Sequence, residues 1–253
     1  VVNLAHGELM ILAAYMAYNV SKMTGMDPLV AMIPTAAVMF VVGIILYKIT
    51  IKRAIKAPEL NQLILTFGIA MVISQGINLV ATSQPKKLSV DYVSSSLTIG
   101  DLSFGTYSFV FVLAAVLMLA GLMLFLKKTR VGKAALAVGQ NPKGAAIVGI
   151  NVNRTYMLIF ALSSALLGIM GSFFLTKMSI FPTAGGPFTM KSFCLVAMAG
   201  IGNLPAVLIG SVILGISESF IASFKGMSGW ANIIFFVIII IVILSRSLKG
   251  RKM

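Results

Sequence analysis

Long apolar runs separated by short polar segments, most of them basic, dominate this chain. Uncharged stretches of 20, 26, 25 and 22 residues separate Asp27 from Lys48, Glu59 from Lys86, Asp101 from Lys127 and Arg154 from Lys177. Two more, of 26 and 20 residues, separate Lys191 from Glu218 and Lys225 from Arg246. A helix needs about 20 apolar residues to cross a hydrocarbon core about 30 Å thick. The pattern predicts an all-α fold, a polytopic membrane helix bundle forming one transmembrane domain over 1–253. Spans are expected at about 4–20, 29–47, 60–81, 106–126, 155–176 and 230–245. Between them, Thr24-Gly25-Met26-Asp27-Pro28 reads as a turn. The polar stretch 82–105 alternates in places, as in Leu97-Thr98-Ile99, which is compatible with a short hairpin.

Composition removes the soluble alternative. Apolar residues make up 59% of the chain and charged ones 10%, against roughly 45–50% and 25% in soluble proteins. The net charge of +14 could serve nucleic acid, but the cations lie between the apolar blocks, where they fix membrane orientation. Segments 48–58 and 127–154 and the tail after Ser245 carry four, six and four of the 20 basic residues. That side is expected to be cytoplasmic, with the C-terminus inside. With Lys191 outside and one final span, 192–224 must enter and leave on the same face. Its 33 residues are too few for two full spans of about 20 each. A broken or re-entrant helix pair is therefore expected, interrupted at Gly200-Ile201-Gly202-Asn203-Leu204-Pro205. Broken helices at membrane depth are tolerated where they are buried in protein or line a cavity. Ser164, Gly168 and Ser172, with Ala161 and Ala165, and later Ser211 and Gly215, have the small-residue spacing that lets helices approach closely. The start, Val1-Val2-Asn3, has no Met and no signal-peptide pattern, so the true beginning is expected to be missing.

Catalytic sets are nearly absent, and no enzymatic activity is expected. His6 is the one histidine and Cys194 the one cysteine, which leaves no metal site of those ligands and no disulfide framework. Gly132-Lys133 lacks the earlier glycine of a P-loop, and Gly200-x-Gly202 does not continue into a dinucleotide fingerprint. No cofactor is expected. Acidic groups within spans are costly and often functional. Glu218 reads equally well as a pathway or proton-handling acid and as a carboxylate paired with Lys191 or Lys177 or hydrogen-bonded by Ser217 and Ser219. Glu8, near Asn3 and His6, suits a helix N-terminus. In the basic segment 127–154, Asn141 can cap a helix with Pro142 at its first position. Gly149 can end that helix, with Ile150 covering the last turn. Ala145, Ala146 and Ile147 are small or apolar in a basic loop, which fits either docking of a soluble partner or a plain connecting helix.

At these residues the chain resembles the permease subunits of ABC importers for branched-chain amino acids. Asn3-Leu4-Ala5-His6-Gly7-Glu8 is similar to that family's N-[LF]-A-H-G-E signature. Arg130-Val131-Gly132-Lys133-Ala134 through Asn141-Pro142 to Gly149-Ile150-Asn151-Val152-Asn153-Arg154 resembles its cytoplasmic loop. Ala199-Gly200-Ile201-Gly202-Asn203-Leu204-Pro205, with Gly210, Gly215 and Glu218, resembles its later segment. The resemblance implies a first span preceding Val1. It also implies a second homologous permease, two ATP-hydrolysing subunits and an extracytoplasmic substrate-binding protein as partners, with the bilayer and no nucleic acid. Asn141, Pro142, Ala145, Ala146, Ile147 and Gly149 would then form the ATPase-coupling helix. Asn3, His6, Glu8, Gly202, Asn203 and Glu218 are the pathway candidates, a half-helix N-terminus near Asn203 or before Phe188 being suited to a carboxylate. Gln140 and Lys143 stand where family loops often carry an acid, and Ser245-Arg246-Ser247-Leu248-Lys249 departs from the family's tail. A urea or short-chain amide ABC permease is the nearest alternative, and an ion-coupled secondary transporter using Glu8 and Glu218 the more distant one.

Overall fold

The structure, a computed structural model, describes residues 3–55, 57–88, 90–99, 102–200, 202–224 and 228–250. Its contacts divide the chain into two compact units, 1–187 and 188–253.

The first unit opens with α1 (His6–Thr24), which ends on Gly25 in the left-handed region at φ 71°. Next come α2 (Met32–Leu46), one π-helical turn (Tyr47–Ile51) and α3 (Lys52–Ala54), which together form one continuous rod. Then α4 (Glu59–Ala81) and the short α5 (Asp91–Ser94) lead to β1 (Ser96–Ile99) and β2 (Leu102–Gly105). The strands pair antiparallel, Ser96 opposite Gly105, so the hairpin compatible with the alternation is present. The long helix α6 (Thr106–Lys128) is followed by α7 (Arg130–Gln140), α8 (Pro142–Ile147) and α9 (Val152–Lys177). Helix α10 (Gly185–Ala199) carries the boundary between units. The second unit continues with α11 (Leu204–Ala222) and α12 (Ser228–Gly250). Among the described residues, five helices are long and apolar enough to cross a bilayer: Met32–Ala54, Leu60–Ala81, Thr106–Lys128, Val152–Lys177 and Leu204–Ala222. The chain is an all-α membrane bundle with one small hairpin.

Helix α9 organises the first unit by packing on both α1 and α2. Small residues make this possible, because a methyl group at the contact would meet backbone. A Cβ on Gly168 would lie 2.7 Å from Ala36 Cα, and one on Gly171 2.6 Å from the Ala14 nitrogen. On α2, a Cβ on Gly43 would lie 2.7 Å from Ser164 Oγ. The 161–172 stripe is thus a close helix contact, as its spacing predicts. The second stripe is not: Ser211 and Gly215 are exposed, with nothing within 4 Å of where a Gly215 Cβ would stand. Gly210 makes that unit's close contact instead, against the Met198 methyl. The first unit's core gathers Ala5, Leu9, Ala13, Met39 and Ala70, and the second's gathers Met198, Leu214, Phe235 and Ile239.

Two helices of the first unit start inside it. The first turn of α1 lies against Ser163, eleven residues and so about 16 Å along α9 from its basic end. After α9, Ile180 pairs with Lys86 through backbone hydrogen bonds, and the carbonyl of Pro182 accepts from Ser74 Oγ at 3.0 Å. The chain then reaches Gly185, where a Cβ would lie 2.5 Å from the Gly7 carbonyl carbon. Only glycine admits that crossing of two backbones. On the loop side, Tyr92 donates to Asp27 Oδ1 at 2.8 Å. Burial first, then this bond and the Asp27 charge, hold its phenol above the usual tyrosine range.

Candidate functional site

The segment 129–154 is a chain of three capped helices. Thr129 Oγ1 accepts from the Gly132 nitrogen at 2.9 Å, Asn141 Oδ1 from Gly144 at 3.0 Å and Asn151 Oδ1 from Arg154 at 2.9 Å. Each cap satisfies a helix N–H that would otherwise lack a partner. Pro142 opens α8, and Gly149 closes it at φ 83°. There the Ile150 nitrogen donates to the Ala145 carbonyl at 3.0 Å and that of Gly149 to Ala146 at 3.1 Å, a left-handed helix stop. The corner between α6 and α7 depends on Gly132, whose Cβ would strike the Phe125 carbonyl oxygen. The segment is therefore a fixed elbow. Its apolar tip is α8: Ile147 is 85% exposed and Val148 75%. Ala146 is exposed as well, whereas Ala145 turns inward and is buried. Of the three candidate docking side chains, only Ala146 and Ile147 face outward, and Val148, which the sequence reading passed over, extends the surface they form.

The Asn3–Glu8 signature holds the inner start of α1. Leu4 donates its N–H to Thr66 Oγ1 at 3.1 Å, and Asn3 Oδ1 accepts from Ala5 at 2.9 Å. His6 Nδ1 lies 3.0 Å from the Asn3 carbonyl oxygen, which can only accept, so this nitrogen carries the proton. In the neutral ring Nε2 then accepts from Ser163 Oγ at 3.1 Å. Glu8 is buried beside the first residues of α10, where a Gly186 Cβ would lie 3.8 Å from its Oε1. A carboxylate there favours two helix starts, its own and that of α10. Below Asn3 and His6 opens a cavity of about 310 Å³, bounded also by Tyr47, Ile51, Val138 and Phe160. The π-turn forms part of its wall, and Tyr47 donates to Asn153 Oδ1 at 2.7 Å, tying that wall to the start of α9. Insertions of this kind recur at functional positions in helices. One wall of the cavity is α7, which leads directly into α8.

In the second unit Glu218 is paired. Lys191 Nζ donates to its Oε1 at 2.6 Å, joining α10 to α11, and the same ammonium lies 5.1 Å from the centre of the Phe235 ring on α12. Of the two readings of Glu218, the geometry supplies the partner that the second required. Gly202 turns the chain at φ 87°, and Asn203 caps α11 by accepting from Ala206 at 3.2 Å. Those two residues form the break between α10 and α11. Among the described residues, no group of three or more His, Cys, Asp or Glu could hold a metal ion.

The family model for the permease component of branched-chain amino acid transport systems matches residues 1–244. A probable branched-chain amino acid transport permease protein LivH of Methanocaldococcus jannaschii is 29% identical, over 87% of this chain and 71% of the relative. The high-affinity branched-chain amino acid permease protein BraD of Pseudomonas aeruginosa is 24% identical, over 97% of this chain and 84% of its own. An L-arabinose transport permease, AraH of Escherichia coli, is 28% identical over 70% of this chain and 52% of its own. No solved structure matches.

Proposed function

This chain belongs to the family of permease components of branched-chain amino acid transport systems, and we propose that it forms the translocation path of an ATP-driven importer for apolar amino acids. The observation that carries the reading is the match along nearly the whole chain, with its signature residues at the two inner helix starts. It is a multi-pass membrane protein, and its transport role needs no catalytic group of its own. The energy comes from two ATP-hydrolysing partners that dock on α8, whose exposed Ala146, Ile147 and Val148 stand at the end of the fixed elbow. An extracytoplasmic binding protein and a second permease complete the assembly. The basic segments and the C-terminus face the cytoplasm, following the placement of fourteen of the 20 basic residues.

The family match over residues 1–244 favours this reading over an ion-coupled carrier, and Glu218 serves as a helix fastener through its pair with Lys191. Uptake by proteoliposomes containing the permeases and ATPases, supplied with binding protein, tests the proposal. Labelled leucine should enter only with ATP inside the hydrolytic compartment and should continue when an uncoupler collapses ion gradients. Leucine uptake without the ATPase subunits, or its abolition by the uncoupler while ATP persists, would contradict it. Uptake of urea in preference to leucine would favour the amide permease.

A further inference from the structure

Between α9 and α10 the chain makes a non-helical turn at membrane depth. Phe181-Pro182-Thr183-Ala184 closes through the Ala184 N–H, which donates to the Phe181 carbonyl at 3.0 Å. Pro182 holds the second position of the turn, which its fixed φ favours. Two contacts set the depth. The Pro182 carbonyl accepts from Ser74 Oγ, and Ser74 lies seven residues before the end of α4 at Ala81, about 10 Å along the helix. That helix is long and apolar enough over Leu60–Ala81 to cross a bilayer. One residue past the turn, the Gly185 backbone crosses that of Gly7 at the inner start of α1.

This chain covers only one side of the turn. Ile180, Pro182 and Ala184 are buried, whereas Phe181 is 41% exposed and Thr183 is exposed as well. On the covered side Lys86 exchanges both backbone bonds with Ile180, at 2.9 and 2.8 Å. The Lys86 ammonium rests 5.6 and 5.3 Å from the centres of the Tyr15 and Tyr18 rings, a cation–π clasp that positions the turn. Among the described residues, the N–H groups of Phe181 and Thr183 donate to no protein acceptor. Lipid cannot satisfy a bare amide, and irregular backbone at membrane depth is tolerated only where it is buried in protein or lines a water-filled cavity. Two open amides beside the Thr183 hydroxyl make a polar face that suits water better than a dry helix contact. We propose that this turn lines the water-filled part of the translocation passage, with Phe181 and Thr183 as wall residues. Phe181 offers the passing molecule an apolar surface, and the amides and the Thr183 hydroxyl exchange water for its polar atoms. Neither residue is among the pathway candidates that the sequence suggests.

This inference rests on the proposed transport role, and its test separates the two. The complete assembly in proteoliposomes carries Cys194→Ala, so that one introduced cysteine is this chain's only thiol. It is treated with a charged, water-soluble methanethiosulfonate, and labelling is read on this chain. The reagent attacks the thiolate, which forms in water and not in apolar surroundings. Phe181→Cys and Thr183→Cys should each react at least about tenfold faster than two controls, buried Ile180→Cys and Leu117→Cys, exposed mid-helix on apolar α6. Modification should also bring leucine uptake by each of the two wall variants to background, measured against the same variant untreated, so that a loss caused by the substitution itself does not enter. Labelling of both wall cysteines no faster than Leu117→Cys overturns the proposal, the turn then facing lipid or a dry contact with a second permease. Complete modification that leaves uptake unchanged overturns it too, because the turn then meets water outside the passage. Fast labelling in an assembly that imports no apolar amino acid overturns the proposed function instead and leaves the water-lined wall standing.

Discussion

Helices are held together in two ways in this protein. In residues 1–187, α1, α2 and α9 meet through Gly43, Gly168, Gly171 and Ser164, close enough that a single methyl would strike backbone or side-chain atoms. In residues 188–253, three helices meet around one ion pair and, farther along, leave an apolar space lined by Met198, Ile209, Gly210 and Ile238. Lipid tails are as apolar as leucine, so burial alone does not drive helices together in a membrane, and close approach or polar contact must do it. The first solution leaves no slack, which is what the proposed transmission of motion from α8 requires. The second fastens its helices through one ion pair and leaves them less closely packed. Rigidity and adaptability are thus written with different residues.

The strongest way to break this contrast is to enlarge equivalent glycines. Gly168→Leu or Gly171→Leu should force α9 away from its neighbours, beyond the usual overpacking cost of about 1–3 kcal/mol, and yield no monodisperse protein by size-exclusion chromatography. Gly215→Leu, with nothing within 4 Å, should elute as the parent does. Equal behaviour of the two would remove the distinction. Next in size is Gly132→Ala at the elbow. Its Cβ would collide with the Phe125 carbonyl, and a loss of about 1–3 kcal/mol is expected in thermal unfolding. A smaller contrast lies within α8. Ala145→Asp buries a charge and should lower the melting temperature measurably, whereas Ile147→Asp on the exposed face should change stability by no more than about 0.5 kcal/mol. Smallest is Tyr47→Phe, which removes the hydrogen bond to Asn153 and should cost about 1 kcal/mol, read by the same unfolding assay.

Local features were legible from the chain alone. The caps at Asn141 and Gly149, the break at Gly200–Asn203 and the short hairpin all follow from residue types acting on near neighbours. Lys191 could be named as one of two partners for Glu218 because lone acids in apolar runs need a cation. What escaped the sequence depends on contacts between distant segments. Nothing local to Gly7 or Gly185 signals that their backbones cross, so the inner start of α1 reads as an ordinary span boundary. That α10 begins beside Glu8 has no local sign either, because it follows from that same crossing. The spacing of Ser211 and Gly215 matches that of Ser164 and Gly168, yet among the described residues only the second pair meets a neighbouring helix closely. Ala145 looked like its neighbours in composition, and only the direction of each side chain around α8 separates it from Ala146 and Ile147.

The coupling role of α8 is the point on which the account turns, and one paired measurement tests it directly. Ile147→Asp/Val148→Asp places charge on the exposed apolar tip without touching the caps or buried Ala145. The assembly should insert and remain folded, while leucine uptake and the ATP hydrolysis stimulated by loaded binding protein fall together to background. Undiminished uptake and stimulation in that variant would contradict the account.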